Sequence, residues 1–383
     1  MRLNLAKDFR RILAVRLDNI GDVVMLGPAL HTLRIFFPSA AITLMASPAG
    51  AQTAPLLPWI DRCIEHRAVW QDASDSMAFD PRREQTFVEA LRQRHFEAAF
   101  IFTSFSQSPY PPAYAAYLAG IPVRVGQADD FGGSVLTHRV KPLPLTAHQV
   151  DRNLHLLESI GLQSVDRRLQ LTVPPEAEAA VDQIFRRFGM RDQEKFILLA
   201  PGASCAARRY DINRFTAALK KLIRVTNLPV IIVGHEREQR LFEPLINLPG
   251  KIISLVGKIT IPQLAAVIRR TALLIGNDSG PMHIADAFRR PMVILFSGTD
   301  YESQWCPRNS PSVLFRQPTD CFPCFRFQCP YDMECLDISP DRVVRAACAL
   351  LRGEAFSEEQ ESSISAMGTK KEDRSNPCAP CVC

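Results

Sequence analysis

Short apolar segments typical of β-strands alternate with segments of helical apolar spacing, and this alternation occurs twice along the chain. In the first series, a strand at residues 11–17 precedes a polar turn, and a helix then runs from Asp22 until Pro38. Strands at residues 41–46 and 98–102 continue the series. Because strands that alternate with helices form a parallel sheet with crossover helices, this pattern predicts an α/β domain.

A second series of the same kind follows. Its predicted strands are residues 196–200, 230–233, 252–255, 272–275 and 292–296, and its predicted helices are residues 214–225, 264–270 and 282–288. The pair Pro174-Pro175 lies between the two series, where consecutive prolines fit neither a helix interior nor a sheet. Two successive series predict two similar α/β domains rather than one long sheet.

The length of 383 residues suits two domains of ordinary size. We predict an N-terminal domain at residues 1–174 and a C-terminal domain at residues 175–352, with a last helix at residues 336–351. The remaining segment, residues 353–383, begins with a polar, Glu- and Ser-rich stretch, and this composition predicts a disordered tail.

Charge and hydropathy exclude several classes of protein. The formal net charge is only +5, which argues against a dedicated nucleic-acid-binding protein. No apolar run approaches the roughly 20 residues of a transmembrane helix, and the first residues lack the apolar centre of a secretory signal. We therefore expect a cytoplasmic protein. The mixed basic and apolar N-terminus suits either contact with an anionic membrane surface or a frayed end.

The sharpest motif is Gly276-Asn277-Asp278-Ser279-Gly280-Pro281-Met282-His283, in which a strand ends and a helix begins at once. The free backbone N–H groups at such a helix start bind anions, and in open α/β sheets ligands bind at the carboxyl ends of the strands. The alternative is ordinary helix capping by Asp278 or Ser279.

Two further polar loops follow predicted strands of the second series. In the loop at residues 201–210, Ser204 and the pair Arg208-Arg209 suit phosphate oxygens, although an Arg pair is also common on solvated faces. After the next strand, Gly234 precedes Glu238, whose carboxylate suits ribose hydroxyls or an exposed helix start. The three loops together favour a nucleotide-like ligand.

Asp22 ends the turn that follows the first predicted strand. A carboxylate there would face the cleft between the two domains and could act as a general base on a hydroxyl. Capping of the following helix is the alternative role. Neither a Gly-x-Gly-x-x-Gly dinucleotide motif after a strand nor a P-loop motif is present, which argues against a nicotinamide dehydrogenase and a P-loop enzyme.

These motifs resemble glycosyltransferase family 9, typified by ADP-heptose:lipopolysaccharide heptosyltransferases. The resemblance rests on Arg16-Leu17-Asp18-Asn19-Ile20-Gly21-Asp22, the Ser204…Tyr210 loop, Gly234…Glu238 and the motif at residues 276–283, and it covers residues 11–351. It implies a GT-B fold, in which two Rossmann-like domains with parallel sheets face each other. It also implies an inverting transfer that needs no metal for catalysis.

The resemblance assigns roles to individual residues. Asp22 corresponds to the catalytic base and Arg16 to a basic residue near the reaction centre. The donor-binding positions that it implies are Ser204, Arg208, Gly234, Glu238, Asp278, Ser279, Gly280 and His283. Arg208 stands where many members carry Lys, and Tyr210 where an aromatic residue, often Trp, is usual; these departures affect the identity of the donor.

The function that the resemblance implies is transfer of heptose from ADP-heptose to a lipopolysaccharide core or a related cell-surface glycan. The partners would be a nucleotide-sugar donor and a lipid-linked or glycan acceptor at the inner membrane surface, which would favour peripheral attachment there. The alternatives are a GT-B enzyme that uses another nucleotide sugar, and a non-catalytic member that binds nucleotide.

A cysteine cluster comes late in the second series. Its members, Cys321, Cys324, Cys329 and Cys335, have spacing suited to a structural zinc site. Reduced or partly paired thiols are the alternative, while the spacing is not a usual ferredoxin pattern. A second cluster, Cys378, Cys381 and Cys383, ends the chain.

Overall fold

The computed structural model describes residues 8–72, 76–105 and 107–357. Two six-stranded parallel sheets organise them, as the two sequence series predict. The strands of the first sheet are β1 (Arg11–Arg16), β2 (Ala41–Ala46), β3 (Arg62–Glu65), β4 (Ala98–Ile101), β5 (Val123–Gln127) and β6 (His138–Val140). Those of the second are β7 (Ile197–Ala200), β8 (Val230–Ile232), β9 (Ile252–Ser254), β10 (Leu273–Asn277), β11 (Met292–Leu295) and β12 (Ser312–Phe315).

The two sheets have the same strand order. The first runs β3-β2-β1-β4-β5-β6, and the second, read in the same direction, runs β9-β8-β7-β10-β11-β12. This is the doubly wound order in which the chain reverses its direction of travel beside the first strand of each half. Ligands of such sheets bind outside the carboxyl ends of the strands at that switch point, which here lies between β1 and β4 and between β7 and β10.

Thirteen helices lie among the described residues and cover the sheets. They are α1 (Ile20–Val24), α2 (Gly27–Phe36), α3 (Pro48–Ala51), α4 (Pro81–Arg92), α5 (Tyr110–Leu118), α6 (Gln149–Glu158), α7 (Pro175–Arg187), α8 (Ile212–Thr226), α9 (Glu243–Ile246), α10 (Ile261–Arg270), α11 (Gly280–Ala287), α12 (Glu302–Trp305) and α13 (Pro340–Arg352). Most of them connect consecutive parallel strands.

The single helix predicted from Asp22 to Pro38 is wrong. The structure divides this segment into α1 and α2, with Met25 and Leu26 between them. Pro28 lies in the first turn of α2, where its missing N–H costs nothing, so a new helix starts there. The apolar residues of both short helices, including Val23, Leu30 and Leu33, are buried.

Both sheets are buried on their two faces. The central strands β1, β4, β7 and β10 consist mostly of buried Ala, Val, Ile, Leu and Phe, as expected for parallel strands covered by helices. α7 packs on α10, and α13 packs on α8, on the side of the second sheet. The two halves touch through α1 and α11, which follow β1 and β10. The predicted tail from residue 358 onward lies outside the described residues.

Candidate active site

At the carboxyl end of β1, one buried arginine holds two carboxylates. Arg16 is fully buried, and its Nη2 lies 2.7 Å from Asp22 Oδ1. Its Nε lies 2.9 Å from Asp18 Oδ2 in an ion pair without hydrogen-bond geometry. Burial raises the pKa of Asp18 to about 6, opposed by the Arg16 charge and reinforced by that of Asp22. The arrangement keeps a carboxylate, Asp22, at the switch point of the first half.

The loop after β4 completes this cluster. Ser104 Oγ accepts a hydrogen bond from Arg16 Nη2 at 2.7 Å and donates one to Asp22 Oδ1 at 3.0 Å. Gln107 Nε2 donates to Asp18 Oδ1 at 2.5 Å, and Gln107 Oε1 accepts from the backbone N–H of Ser104. Sequence reasoning missed Asp18, Ser104 and Gln107. The polar loop after a predicted strand was the available signal.

Asp22 also takes part in capping α1, the alternative role that the sequence suggested for it. Asn19, not Asp22, is the N-cap of α1, and Asp22 occupies the third helical position. From there Asp22 Oδ2 accepts a hydrogen bond from the Asn19 backbone N–H at 3.2 Å. One carboxylate therefore caps its helix and contacts Arg16 at the same time, and the two roles that the sequence suggested do not exclude each other.

On the opposite side, Arg208 joins the ends of three strands. Its Nε donates to Thr299 Oγ1 at 3.0 Å, and its Nη2 bonds Asp300. Its Nη1 lies 4.0 Å from Asp278 Oδ2. Burial disfavours the charge of Arg208, but Asp278 and Asp300 outweigh it and raise the pKa of the guanidinium. Arg208 is thus part of a charged network rather than of a solvated face.

Asp278 is buried, and this burial raises its pKa to about 6 although Arg208 opposes the rise. The neighbouring Asn277, the last residue of β10, holds both ends of the loop at residues 201–210, since its Oδ1 accepts from the Tyr210 N–H at 3.0 Å and its Nδ2 donates to the Pro201 carbonyl at 2.7 Å. Sequence reasoning assigned no role to Asn277, Thr299 or Asp300. The polar residues that follow the predicted strand at residues 292–296 were a signal for the last two.

Glu238 is buried between two glycines. A β-carbon at Gly202 would lie 2.6 Å from Glu238 Oε2, and one at Gly234 would lie 3.2 Å from the same atom. Glu238 Oε2 accepts from the His235 N–H at 2.9 Å, so the carboxylate caps its own turn. Of the two alternatives for Glu238, the exposed helix start is wrong, because the side chain packs inward against the loop that carries Arg208. Ser204 lies exposed in that loop.

The start of α11 meets the N-terminal half directly. Ser279 is its N-cap, but its Oγ donates to the Asn277 carbonyl at 3.2 Å and makes no capping bond. Gly280 lies against Ile20, since a β-carbon at position 280 would lie 3.0 Å from Ile20 Cγ2. His283 is buried, and burial lowers its pKa to about 4 although Asp22 opposes the fall. The start of α11 and the Asp22 side of the site are therefore in contact.

The four cysteines whose spacing suits a zinc site lie in the segment that follows β12. Cys335 is buried, and Cys321, Cys324 and Cys329 are half-buried free thiols. Among residues 8–72, 76–105 and 107–357, no three His, Cys, Asp or Glu side chains are grouped as a metal site requires. The cysteine segment instead contacts the Arg208 region, because the Cys324 and Phe325 N–H groups donate to the carbonyls of Gly298 and Thr299. Cys378, Cys381 and Cys383 lie outside the described residues.

Residues 85–334, more than half of the chain, match the family described as Glycosyltransferase family 9 (heptosyltransferase). The chain belongs to this family. The resemblance seen in the motifs is thereby confirmed, and the protein is a glycosyltransferase. This glycosyltransferase is 23% identical to lipooligosaccharide heptosyltransferase 2 of Campylobacter jejuni over 340 residues. The alignment covers 87% of this chain and 96% of that relative.

Solved structures agree with the fold. The glycosyltransferase is similar to the family 9 glycosyl transferase of Veillonella parvula, with a TM-score of 0.75, 21% identity and coverage of 92% of this chain and 99% of that chain. It is also similar to the Escherichia coli ADP-heptose lps heptosyltransferase II, with a TM-score of 0.71 and 22% identity. This match covers 90% of this chain and 99% of that chain. The predicted GT-B fold with two Rossmann-like domains is confirmed. Within the described part of the chain, no helix is long and apolar enough to cross a membrane.

Proposed function

We propose that this glycosyltransferase transfers heptose from ADP-heptose to a lipopolysaccharide core acceptor with inversion at the anomeric carbon. Family membership and the names of the relatives support heptosyl transfer to lipopolysaccharide. The observation that carries the proposal is the contact between the two switch points. Gly21, next to Asp22, lies against His283, and Gly280 lies against Ile20, so in this proposal the base and the diphosphate site meet in one cleft.

The proposed chemistry follows from these charges. An acceptor hydroxyl attacks the anomeric carbon, Asp22 takes the hydroxyl proton, and the bond from that carbon to the diphosphate breaks with its electron pair on the leaving oxygen. Arg208 and the N-terminus of α11 are suited to stabilise the charge that develops on the diphosphate. In this proposal residues 1–174 bind the acceptor and residues 175–352 bind the donor, with Ser204, Gly234, Glu238, Ser279 and Gly280 around the nucleotide diphosphate.

Asp22 is held in a way that suits a base. Arg16 and Ser104 both bond Oδ1, whereas within the described part of the chain Oδ2 has one bond, at 3.2 Å from the Asn19 N–H. Oδ2 therefore has a lone pair available for an acceptor hydroxyl, while the Arg16 contact holds the carboxylate in place. This use of Asp22 favours an active transferase over a member that only binds nucleotide.

A ligand screen followed by a transfer assay tests the proposal. Thermal melting of the whole chain is measured with nucleoside diphosphates and nucleotide sugars, since a ligand of the native state raises the melting temperature. ADP and ADP-heptose should give the largest shifts, and NMR of the transferred sugar should show the inverted anomeric configuration. A preference for a uridine- or guanosine-diphosphate sugar would assign a different donor. Binding of a nucleotide sugar without transfer of heptose to any acceptor would refute the proposed enzymatic activity.

A further inference from the structure

A cavity of about 790 Å³ lies at the edge of the second sheet opposite to the proposed donor site. Phe196, Ala272 and Arg290 line it, and they precede β7, β10 and β11, so the cavity lies at the amino ends of these parallel strands. Arg208 and Asp278 follow the carboxyl ends of β7 and β10. Because β7 has four residues that rise about 3.3 Å each, the two edges are roughly 13 Å apart. The cavity is therefore separate from the active site, and the proposed reaction does not use it.

Positive charge predominates around this cavity. Three helices in mutual contact carry consecutive arginines at or just after their C-terminal ends: Arg186-Arg187 of α7, Arg269-Arg270 of α10 and Arg289-Arg290 after α11. A cation there complements the helix macrodipole, but Arg191 and Lys195 lie in the connection from α7 to β7, where this explanation does not apply. The lining has six cations against three carboxylates, and the cations are Arg186, Arg191, Lys195, Arg269, Arg270 and Arg290.

The nearby carboxylates balance only part of this charge. Glu178 pairs with both arginines of Arg269-Arg270, and Asp182 pairs with the second of them at 2.5 Å. Glu194 pairs with Lys251, which lies outside the lining, at 2.9 Å. Among residues 8–72, 76–105 and 107–357, the cations of the lining that no ion pair includes are Arg186, Arg191, Lys195 and Arg290, against the exposed carboxylate Asp192.

Arg290 is the most constrained of these four cations. Its backbone N–H donates to the Ala285 carbonyl at 2.9 Å, and the preceding Arg289 has φ 54°, so α11 ends in a turn for which glycine is the usual residue. The Arg290 Nε is enclosed and has no hydrogen-bond partner within the described part of the chain. Burial of an unpaired N–H is costly, so an oxygen acceptor from a ligand would stabilise this side chain.

We infer that this cavity binds a phosphate group carried by an organic molecule. Arg186 and Arg290 bind the phosphate oxygens, because the fork of a guanidinium matches phosphate geometry. Beside them, the buried Met190 and Phe196 and the half-buried Phe185 form an apolar wall for the organic part. Soluble phosphate esters and the headgroups of anionic phospholipids share this chemistry, and the experiment separates them. The inference goes beyond the proposed function and does not depend on it.

Two probes of the whole chain test the inference. Calorimetry with glycerol 3-phosphate reports a soluble ester, and sedimentation with phosphatidylglycerol vesicles, compared with phosphatidylcholine vesicles, reports a lipid headgroup. Arg290→Gln should weaken binding of the better probe by about 10- to 100-fold, as for loss of charged hydrogen bonds. Arg224→Gln is the matched control and should leave binding unchanged, because Arg224 is an exposed cation in the last turn of α8 and does not line the cavity.

A purely structural role for Arg290 predicts different results. If Arg290 only ends α11, Arg290→Gln lowers the melting temperature and leaves both affinities unchanged, which overturns the inference. Should Arg290→Gln fail to fold, Arg186→Gln removes an exposed side chain and should still weaken binding. Binding of neither probe, or an equal loss in Arg224→Gln, also overturns the inference. Loss of binding in Arg208→Ala instead of Arg290→Gln would assign the phosphate to the active site and overturn it as well.

Discussion

Gly21 and His283 are in van der Waals contact across the junction of the two halves, and the contact leaves no space for a side chain at position 21. A β-carbon there would lie 2.5 Å from His283 Cδ2 and 3.2 Å from Nε2. Gly21 precedes Asp22 on α1, and His283 lies on α11 after the Asp278 loop. The distance from Asp22 to the Asp278 loop therefore depends on the absence of a side chain at this glycine.

We expect Gly21→Ala to separate α1 from α11 and to lower both stability and transfer. Overpacking of this kind costs about 1–3 kcal/mol. Gly27→Ala is the matched control, since Gly27 begins the next helix and a β-carbon there meets nothing closer than 3.8 Å. Urea unfolding and transfer rates measure the two effects. Equal behaviour of the two alanine variants would show that the Gly21 contact is not needed.

Asp22→Asn should nearly abolish transfer while ADP binding stays close to that of the wild type. The amide keeps the size of the side chain and its contacts with Ser104, but it cannot take the acceptor proton, and loss of a general base costs about 10²–10⁴-fold in rate. Steady-state kinetics and ADP titration measure this. Glu176→Gln, an exposed carboxylate of α7, is the control. A rate within a few-fold of wild type would exclude Asp22 as the base.

Arg208→Ala should weaken binding of a nucleoside diphosphate more than binding of the acceptor. A hydrogen bond to a charged phosphate contributes roughly 1.5–3 kcal/mol. The substitution also leaves Asp278 and Asp300 without their cation, and their charges then repel the diphosphate. Calorimetry with ADP measures the loss, and Arg208→Lys should recover part of it. Unchanged ADP affinity in Arg208→Ala would assign Arg208 a purely structural role.

The two-domain fold could be predicted from the sequence because the pattern of buried strands and amphipathic helices is local. The strands at residues 41–46 and 230–233 match the observed β2 and β8 to within one residue. The weaker elements could not be predicted, since β3 and β6 lie toward the sheet edges and are short and partly exposed. The break between α1 and α2 depends on Gly27-Pro28, which helical spacing alone does not reveal.

The site was only partly predictable for a different reason. Asp22, Arg208 and Asp278 lie in the segments that follow strands, so the sheet rule is enough to bring each of them to the carboxyl edge of its own sheet. The partners that tune them come from distant parts of the chain: Ser104 is 88 residues from Arg16, and Asp300 is 92 residues from Arg208. Such pairs depend on strand order, which the residues of one loop do not encode.

The raised pKa of Asp18 predicts a pH dependence of stability. Between the ordinary value of 3.8 and about 6, the unfolded chain ionises Asp18 while the folded protein keeps it protonated. The folded state then binds more protons, so stability falls as pH rises through this window, by up to about 3 kcal/mol. Asp18→Asn lacks this loss and should gain stability relative to wild type from about pH 4 to about pH 6.

Urea unfolding of both proteins across that window measures the difference. His283, whose pKa is lowered to about 4, acts with the opposite sign in both proteins and cancels in the comparison. Asp166→Asn is the control, because the hydrogen bond from Arg168 lowers the pKa of Asp166 to about 2. The stabilisation that the ionised Asp166 carboxylate contributes is fully present above its ordinary pKa of 3.8. It should therefore not change between about pH 4 and about pH 6. A difference between wild type and Asp18→Asn that is independent of pH would contradict the prediction.

Transfer should continue when divalent cations are chelated. Arg208 and the N-terminus of α11 already supply positive charge where the proposed diphosphate would leave, so the chemistry as proposed needs no Mg²⁺. Brief EDTA treatment should leave the initial rate unchanged, and added magnesium should not raise it. Prolonged treatment tests the cysteines separately: a structural zinc on Cys321, Cys324, Cys329 and Cys335 would be removed and the melting temperature would fall. An immediate loss of rate that magnesium restores, without any change in folding, would refute the metal-independent mechanism, because the slow loss of a structural metal has a different time course and a different signal.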